Sequence, residues 1–384
     1  MALSKIQTAE MLDAPRLGRR NLIINGAMQV DQRNETVTNA DQPTGDNKFT
    51  ADRFENLFQD GDSSTRIDSS NVTITDHPLG FSNASKIVCS TVDDLADATS
   101  VYMNISYRGI EQQDLQRFQF GTSSAKNLTL SFWVKSGVTG TFFATLQQDA
   151  NTAGNEVRYH ASYTISSANT WEKKTISVAG AGTGLNWLSN NTSDQGLFIM
   201  FHLAASSDRL DNTLNAWFED TTNTQTIRAG TGQTNFFLTA DAEFYLTGVQ
   251  LEEGSTATDF EHRSFGEELS LCQRYYQRIS GTHGSTQGLG TGFGSSSTLT
   301  TVDIFPPVKE LLRDQSAISF SAASSFMVNT NAIAANATNI TAATYSNNHV
   351  RAQLTATGDS GTTSSARLVR FAGATAFVDW DSEL

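Results

Sequence analysis

Two tryptophans that lie in irregular, polar stretches are the residues best suited to contact a ligand. Trp187 lies in an Asn-rich segment, residues 184–191, and Trp217 lies in a second Asn-containing stretch. Sugars stack their apolar C–H faces on aromatic rings, while amide and hydroxyl side chains nearby pair with the sugar hydroxyl groups. We therefore predict that Trp187 and Trp217 contact a glycan. Trp133, which directly follows Phe132 in a strand-like segment, is instead expected in the core.

The ionisable residues form no pattern typical of a catalytic site. The histidines are scattered, and no pair of them has the spacing of zinc ligands. The sequence contains neither a Gly-Xaa-Ser-Xaa-Gly elbow nor a phosphate-binding loop. Adjacent acids such as Glu252/Glu253 and Asp93/Asp94 point to opposite faces of a strand, so they do not supply the facing carboxyl pair of glycoside hydrolysis. We predict no enzyme and no catalytic residue.

The sequence offers no spaced series of cation ligands, and no cofactor or metal is predicted. One alternative stays open. Asn25 follows the first predicted strand and Glu252 ends the last strand of the predicted sandwich, and these ends can meet. Oxygen ligands there would suit a structural Ca²⁺.

Composition and charge argue against a nucleic-acid partner. Charged residues make up 17% of the chain, and the net charge is −14. A protein that binds nucleic acid must neutralise phosphates with clustered Lys and Arg, and the nearest such group is Arg16, Arg19 and Arg20. The charged fraction is below the roughly 25% usual in globular proteins. Ser, Thr, Asn, Gln and Gly take the place of charged residues, which is typical of a β protein with polar outer faces.

No apolar stretch has the length of a membrane span or of a signal-peptide core, so we predict neither membrane insertion nor a cleaved export signal. The two cysteines, Cys89 and Cys272, lie 183 positions apart. They form either one long-range disulfide or, as we favour, two separate buried thiols, and the low cysteine count excludes a disulfide-stapled secreted scaffold.

Alternation of apolar and polar residues predicts an all-β fold. Residues 128–135 and 141–146 both alternate with a period of two, and a Gly-containing turn separates them. Residues 21–24 and 236–238 are predicted as further strands. The absence of sustained helical periodicity in this region indicates a β-sandwich.

Changes of pattern divide the chain into four parts. They are an N-terminal arm (1–20), a β-sandwich (21–262), a helical connector (263–280) and a smaller C-terminal β-domain (281–384). Within the connector, Leu269, Cys272 and Tyr276 fall at helical spacing. The start of the last part, residues 281–290, is predicted to be a loop.

Four segments in chain order resemble a pattern of bacteriophage tail-fibre and other virion structural proteins, especially those of phages that infect marine bacteria. The segments are residues 19–33, 51–54, 130–137 with 169–172, and 248–276. The sandwich additionally resembles carbohydrate-binding jelly rolls. The chain departs from the phage pattern at Asn34, Phe54 and Asp259, where Gly, Trp and Pro are usual.

The resemblance implies a jelly-roll-like sandwich in a virion protein that is assembled in the cytoplasm of a host bacterium. Residues 1–20 would anchor it to other virion proteins, and a host-surface glycan would be its partner. Fibres of this kind are usually homotrimers, so we expect a homotrimer. Two alternatives remain: an architectural head, neck or tail appendage without a receptor, and, less favoured, a glycan depolymerase.

Overall fold

The computed structural model describes most of the chain. The described residues are 19–40, 48–59, 66–76, 78, 80–95, 100–148, 156–187, 192–220, 228–280, 288–294, 300–304, 309–313, 317–329, 334–346, 349–356, 366–372 and 376–383. The chain divides into two compact units between residues 263 and 264. Within the described ranges no helix has the length and apolar character needed to span a membrane. Except for its last two residues, the predicted arm lies outside the described part of the chain.

The first unit consists mainly of two antiparallel sheets. In chain order its strands are β1 (Val37–Ala40), β2 (Lys48–Ala51), β3 (Phe54–Gln59), β4 (Arg66–Thr73), β5 (Asn83–Thr91), β6 (Tyr102–Glu111), β7 (Leu128–Ser136), β8 (Gly140–Gln148), β9 (Glu156–Ile165), β10 (Glu172–Val178), β11 (Gln195–Ala205), β12 (Leu210–Asp211), β13 (Trp217–Asp220), β14 (Ala229–Gly230) and β15 (Glu243–Glu253). The six-stranded sheet has the order β1-β4-β5-β15-β7-β10, and the seven-stranded sheet has the order β13-β9-β8-β11-β6-β3-β2. Strands β12 and β14 form a short parallel pair. The helical turns are α1 (Gln112–Leu115) and the 3₁₀ turns Gln116–Phe118, Ser207–Arg209 and Phe236–Leu238.

The two sheets pack face to face, and alternation along each strand decides which side chains fill the core. In β7, Leu130, Phe132 and Val134 are fully buried. The Phe132 ring meets Phe201 of β11 edge to face, with the ring centroids 4.9 Å apart. The intervening Trp133 points to the opposite, outer face and is only partly buried. The expectation that Trp133 lies in the core is therefore wrong, because Phe132 occupies the inward position.

Residues 236–238, predicted as a strand, form a 3₁₀ turn instead. Phe236 and Phe237 are both fully buried. A strand would turn one of two neighbouring rings outward, whereas the turn lets both enter the core. The Asn235 side chain caps this turn by accepting a hydrogen bond from the Phe237 N–H at 2.9 Å.

Residues 21–24, also predicted as a strand, lie beside β15 without forming one. Leu22 N donates to Leu251 O, and Val249 N donates to Gly26 O, each at 2.9 Å. A Cβ atom at Gly26 would lie 2.1 Å from Val249 O. Only glycine allows this close backbone approach, so Gly26 lets the segment lie directly against β15.

The second unit begins with a helix and is otherwise made of strands. Its elements are α2 (Phe265–Gln273), β16 (Tyr276–Ser280), β17 (Gly288–Gly294), β18 (Thr300–Ile304), β19 (Ala317–Phe320), a 3₁₀ turn (Ala323–Ser325), β20 (Phe326–Asn329), β21 (Ala334–Ser346), β22 (His349–Ala356), β23 (Ala366–Phe371) and β24 (Phe377–Asp381). Strands β16, β24 and β19 form one sheet, and the remaining six close on themselves in the order β17-β18-β22-β21-β20-β23. Strand β17 begins inside the predicted loop. The all-β fold class, a jelly-roll-like sandwich followed by a smaller β unit, is confirmed.

Ser264 begins the helix α2 as its N-cap, since its Oγ accepts a hydrogen bond from Glu267 N at 3.3 Å. Cys272 is buried on this helix, and Cys89 is buried in β5. Both are free thiols, and burial raises the pKa of Cys89 to about 11. The prediction that the two cysteines are separate buried thiols is confirmed.

Candidate carbohydrate-binding site

The structure brings the two predicted ligand contacts together. Trp187 and Trp217 are 30 positions apart in sequence, yet their ring centroids lie 5.4 Å apart in an edge-to-face arrangement. Phe120 contacts both, at 4.7 Å from Trp187 and 5.9 Å from Trp217. Tyr159 packs on Trp217 at 5.2 Å. We call these four residues the aromatic cluster.

The strand β13 positions Trp217. It lies at the edge of the seven-stranded sheet, where Trp217 is paired with Tyr159 of β9. The indole Nε1 of Trp217 donates to Ala179 O at 2.6 Å. Because neighbouring strand residues face opposite ways, Phe218 turns to the outer face and packs on His160 at 5.2 Å.

Trp187 packs on a glycine. Gly121 has φ of +81°, and its N–H donates to Ala181 O at 2.7 Å. A Cβ atom at Gly121 would lie 3.2 Å from Cβ of Trp187. The backbone of residues 179–187 is therefore held against the turn at Gly121, and this contact places Trp187 beside Trp217.

The aromatic cluster offers ring surface with amides near it. Trp187 and Trp217 are each partly exposed, and the exposed Asn186 and Asn215 lie next to them in the chain. The Trp217 indole N–H is already bonded within the chain, so this residue offers mainly its ring. Apolar ring surface next to free amides is the combination that suits the C–H face and the hydroxyl groups of a neutral sugar.

Sequence reasoning did not identify Phe120 and Tyr159. Tyr159 lies on the alternating face of a predicted strand, and this alternation indicates an inward side chain. Nothing in the sequence indicates that Trp217 is its partner. Phe120 precedes Gly121, and this Gly after an aromatic pair, Phe118 and Phe120, is the one available signal for a tight turn.

The outer face of the seven-stranded sheet carries a buried polar network. The Thr145 Oγ1 atom lies 2.8 Å from His160 Nδ1, 3.0 Å from His202 Nε2 and 3.0 Å from Arg228 O. A carbonyl only accepts, so the Thr145 hydroxyl donates to Arg228 O and both imidazoles donate to Thr145. Each histidine therefore carries a proton on the ring nitrogen that faces Thr145.

Burial keeps both histidines neutral. Desolvation, aided by the charge of Arg158, lowers the pKa of His160 to about 3. Desolvation also lowers the pKa of His202 far below its usual value, and the nearby His160 and Arg228 act in the same direction. Neither imidazole is therefore positioned as a proton carrier at neutral pH.

A buried ion pair lies on the same face. Arg158 and Asp220 are bonded to each other, and both side chains are fully buried. Arg158 Nε also donates to Gln147 Oε1 at 2.9 Å. The pair joins β9 to the edge strand β13, which carries Trp217 on its other side.

Residues 209–216 and 228–234 cover part of this outer face. Asn215 N donates to His160 O at 2.8 Å, and Arg228 O accepts from Thr145 as described above. Gly230 packs so closely on Phe143 that a Cβ atom would lie 2.3 Å from its ring. The chain itself therefore occupies the place where an extended ligand would cross the middle strands.

Hydrogen bonds join the first and the last of the four resemblance segments. The Glu261 carboxylate accepts from Asn21 N at 2.8 Å, and Arg263 Nη1 donates to Ile23 O at 2.9 Å. Arg53, with φ of +71°, donates to Gly109 O at 2.7 Å. Glu261 and Arg263 thus tie the start of the sandwich to the segment that follows β15, and Arg53 of the second segment is held against β6.

Asn25 and Glu252 belong to separate networks. The Asn25 side chain bonds to the backbone of Val30 and Asp52 at 2.8–2.9 Å. The Glu252 carboxylate accepts from Gln250 at 2.9 Å and from the Thr258 hydroxyl at 2.7 Å. Among the described side chains, no group of three or more His, Cys, Asp or Glu is arranged to hold a metal ion.

No protein-family model and no curated protein sequence matches the chain. The enzymatically active domain of tailspike protein 4 from bacteriophage CBA120 is similar over 61% of this chain, with 13% identity and a TM-score of 0.31, and the match spans 21% of that chain. A family 11 carbohydrate-binding module from Clostridium thermocellum is similar over 53% of this chain and 91% of its own, with 13% identity and a TM-score of 0.27. The N-terminal cellulose-binding domain of β-1,4-glucanase C from Cellulomonas fimi matches 56% of this chain and 99% of its own, with 13% identity and a TM-score of 0.26. At these values the similarities assign no function to this chain.

Proposed function

We propose that this chain is a structural protein of a bacteriophage virion, a tail-fibre subunit that contributes to attachment to host-surface glycans. The observation that carries the glycan assignment is the convergence of Trp187 and Trp217 at 5.4 Å, half-buried and flanked by exposed amides. The four resemblance segments support the virion assignment.

The covered sheet face supports placing the sugar at the aromatic cluster. Residues 209–216 and 228–234 occupy part of the outer face of the seven-stranded sheet. Trp187 and Trp217 lie at the edge of that sheet and stay partly exposed. A glycan chain would therefore bind across the sheet edge, with its apolar faces on the rings.

A glycan array on the purified protein tests this site. The variants Trp187→Phe and Trp217→Phe keep an aromatic filler but reduce the ring area, and Trp217→Phe also loses the bond to Ala179. We expect each to weaken binding of the selected glycan by about fivefold or more. Phe265→Ala removes a ring that is 58% exposed in the second unit, and this control should bind like the unaltered protein.

Unchanged affinity in both tryptophan variants, with melting temperatures close to that of the unaltered protein, would remove the aromatic cluster from the glycan site. Release of reducing ends from the bound glycan would favour a depolymerase instead. A protein that binds no glycan but is present in the particle would favour the architectural appendage.

The virion assignment needs a separate test. Antibodies raised against the chain should label the tail fibres of intact particles in electron micrographs and reduce adsorption to cells. Light scattering coupled to size-exclusion chromatography should give the mass of a homotrimer. Labelling of the head or neck with unchanged adsorption would contradict the tail-fibre role.

A further inference from the structure

The outer face of the six-stranded sheet carries aromatic rings and lysines side by side. Strand register places them there: Tyr245 of β15 is paired with Lys135 of β7 on one side and with Lys86 of β5 on the other. In the next row, Lys173 of β10 is paired with Trp133 of β7. Together with Trp171, which precedes β10, these residues form what we call the outer patch: Lys86, Trp133, Lys135, Trp171, Lys173 and Tyr245.

The rings and ammonium groups of the outer patch are in contact. Lys135 Nζ lies 4.2 Å from the Tyr245 ring centroid and 5.4 Å from that of Trp171. The two rings are 6.0 Å apart and tilted by 58°. Lys86 Nζ lies 5.4 Å from the Tyr245 ring on its other side. Cation–π contacts of this kind hold the rings in place while the patch stays partly exposed.

Two carboxylates border the outer patch. Asp76, which is 59% exposed, bonds Lys135 Nζ at 2.8 Å, and Glu243, which is 40% exposed, bonds Lys86 Nζ at 2.5 Å. Lys173 is exposed and has no ion-pair partner among the described residues. Lys135 and Lys86 are each offset by a bonded acid, which leaves the charge of Lys173 for an anionic ligand on a chain whose net charge is −14. An anionic ligand would be drawn to this face rather than to the chain as a whole.

We propose that the outer patch is a second glycan site and that it binds an acidic polysaccharide with uronic-acid residues. Trp171 and Tyr245 would take the apolar faces of the sugar rings, and Lys173 would pair with a sugar carboxylate. The exposed carboxylate oxygens of Asp76 and Glu243 would accept hydrogen bonds from the sugar hydroxyl groups. A protein partner fits less well, because the centres of protein interfaces are depleted of Lys, Glu and Asp.

The outer patch and the aromatic cluster lie on different sheets, so this proposal does not rest on the proposed function. Affinity electrophoresis with polygalacturonate tests it directly. Methyl-esterified polygalacturonate has the same sugar backbone without the charge, and poly-L-glutamate has the charge without the sugar. We expect binding to polygalacturonate alone, weakened as NaCl is raised from 50 to 500 mM because exposed charges are screened.

Adjacent lysines provide a matched pair of variants. Lys173→Gln removes a charge from the outer patch, and Lys174→Gln removes one from the opposite side of the same strand, where Lys174 bonds Glu172. Lys173→Gln should weaken binding about threefold and Trp171→Ala about fivefold. Lys174→Gln should leave it unchanged.

Three outcomes would overturn the proposal: no binding of polygalacturonate, equal binding of its methyl ester or of poly-L-glutamate, or equal effects of Lys173→Gln and Lys174→Gln. Each of these would leave the glycan-array test of the aromatic cluster unaffected, so failure of the two sites can be told apart.

Discussion

Replacing His160 tests whether the polar network of the seven-stranded sheet depends on neutral imidazoles. In His160→Asn, the amide nitrogen takes the place of Nδ1 and can still donate to Thr145, but the side chain no longer titrates. Any change in the pH dependence of stability then comes from lost titration rather than from a lost hydrogen bond.

The sign and size of the effect follow from the pKa of His160, which is about 3 in the folded protein against 6.5 in the unfolded chain. As the pH falls below 6.5, the unfolded chain binds a proton that the folded protein does not bind. The stabilisation is thus fully present above pH 6.5 and is lost as the pH falls toward 3. The slope approaches about 1.4 kcal/mol per pH unit for this one group.

Urea denaturation followed by tryptophan fluorescence, from pH 7.5 to pH 4.5, measures this slope. The free energy of unfolding of the unaltered protein should fall more steeply than that of His160→Asn, by about 3 kcal/mol in all at pH 4.5. His202, whose pKa is also lowered, is present in both proteins and cancels in the difference. Parallel pH profiles would show that His160 is protonated or reached by water in the folded protein, which refutes the assignment of a buried, neutral imidazole.

Three further perturbations test the packing of the first unit. Removing one partner of the buried ion pair, in Arg158→Met or Asp220→Leu, should lower the free energy of unfolding by about 3–5 kcal/mol in urea denaturation. The double variant should lose less than the worse single variant, and additive losses would contradict this. Burial raises the pKa of Asp31 to about 6, so ionisation of Asp31 destabilises the fold as the pH rises from 4 to 6. Asp31→Asn should therefore raise the free energy of unfolding at pH 7.5 by about 1 kcal/mol after solvent screening. At pH 3.5 it should leave the free energy of unfolding unchanged. Gly26→Ala places a Cβ atom 2.1 Å from a carbonyl of β15 and should cost about 1–3 kcal/mol in thermal denaturation, whereas Gly182→Ala, with nothing within 4 Å, should change stability little; equal effects would refute the close approach.

Period-two alternation locates β7 and β8 of the sandwich, because each of these strands has one buried and one outer face. The alternation could not decide which of two adjacent aromatic residues faces the core, as at Phe132 and Trp133. It also failed at Phe236 and Phe237, where two adjacent rings enter the core through a 3₁₀ turn. In each case tertiary packing, which a local pattern does not contain, decides the outcome.

The residues of the candidate ligand site could likewise be predicted only in part from the sequence. Trp187 and Trp217 could be selected because they lie outside alternating segments, but their contact depends on the pairing of β13 with β9 and on the close approach at Gly121. The polar positions His160 and Arg158 alternate with apolar ones, which normally indicates a solvated face. They are buried because later parts of the chain cover that face, and nothing in the strand itself indicates such a cover.

The buried ion pair links the covered face to the aromatic cluster, since Asp220 and Trp217 lie on opposite faces of the same edge strand. An edge strand is paired on one side only, so the bond from Asp220 to Arg158 adds a second constraint on its position.

Asp220→Asn should therefore weaken glycan binding, by about threefold or more, although none of the ring contacts described for the aromatic cluster involves Asp220. The Trp217 emission should shift to longer wavelength as the ring becomes more solvated. Glu219→Gln, a change at the neighbouring and partly exposed position, provides the control and should alter neither. If Asp220→Asn lowers the free energy of unfolding but leaves glycan affinity and emission unchanged, β13 is held by its pairing with β9 alone, and the ion pair has no part in positioning Trp217.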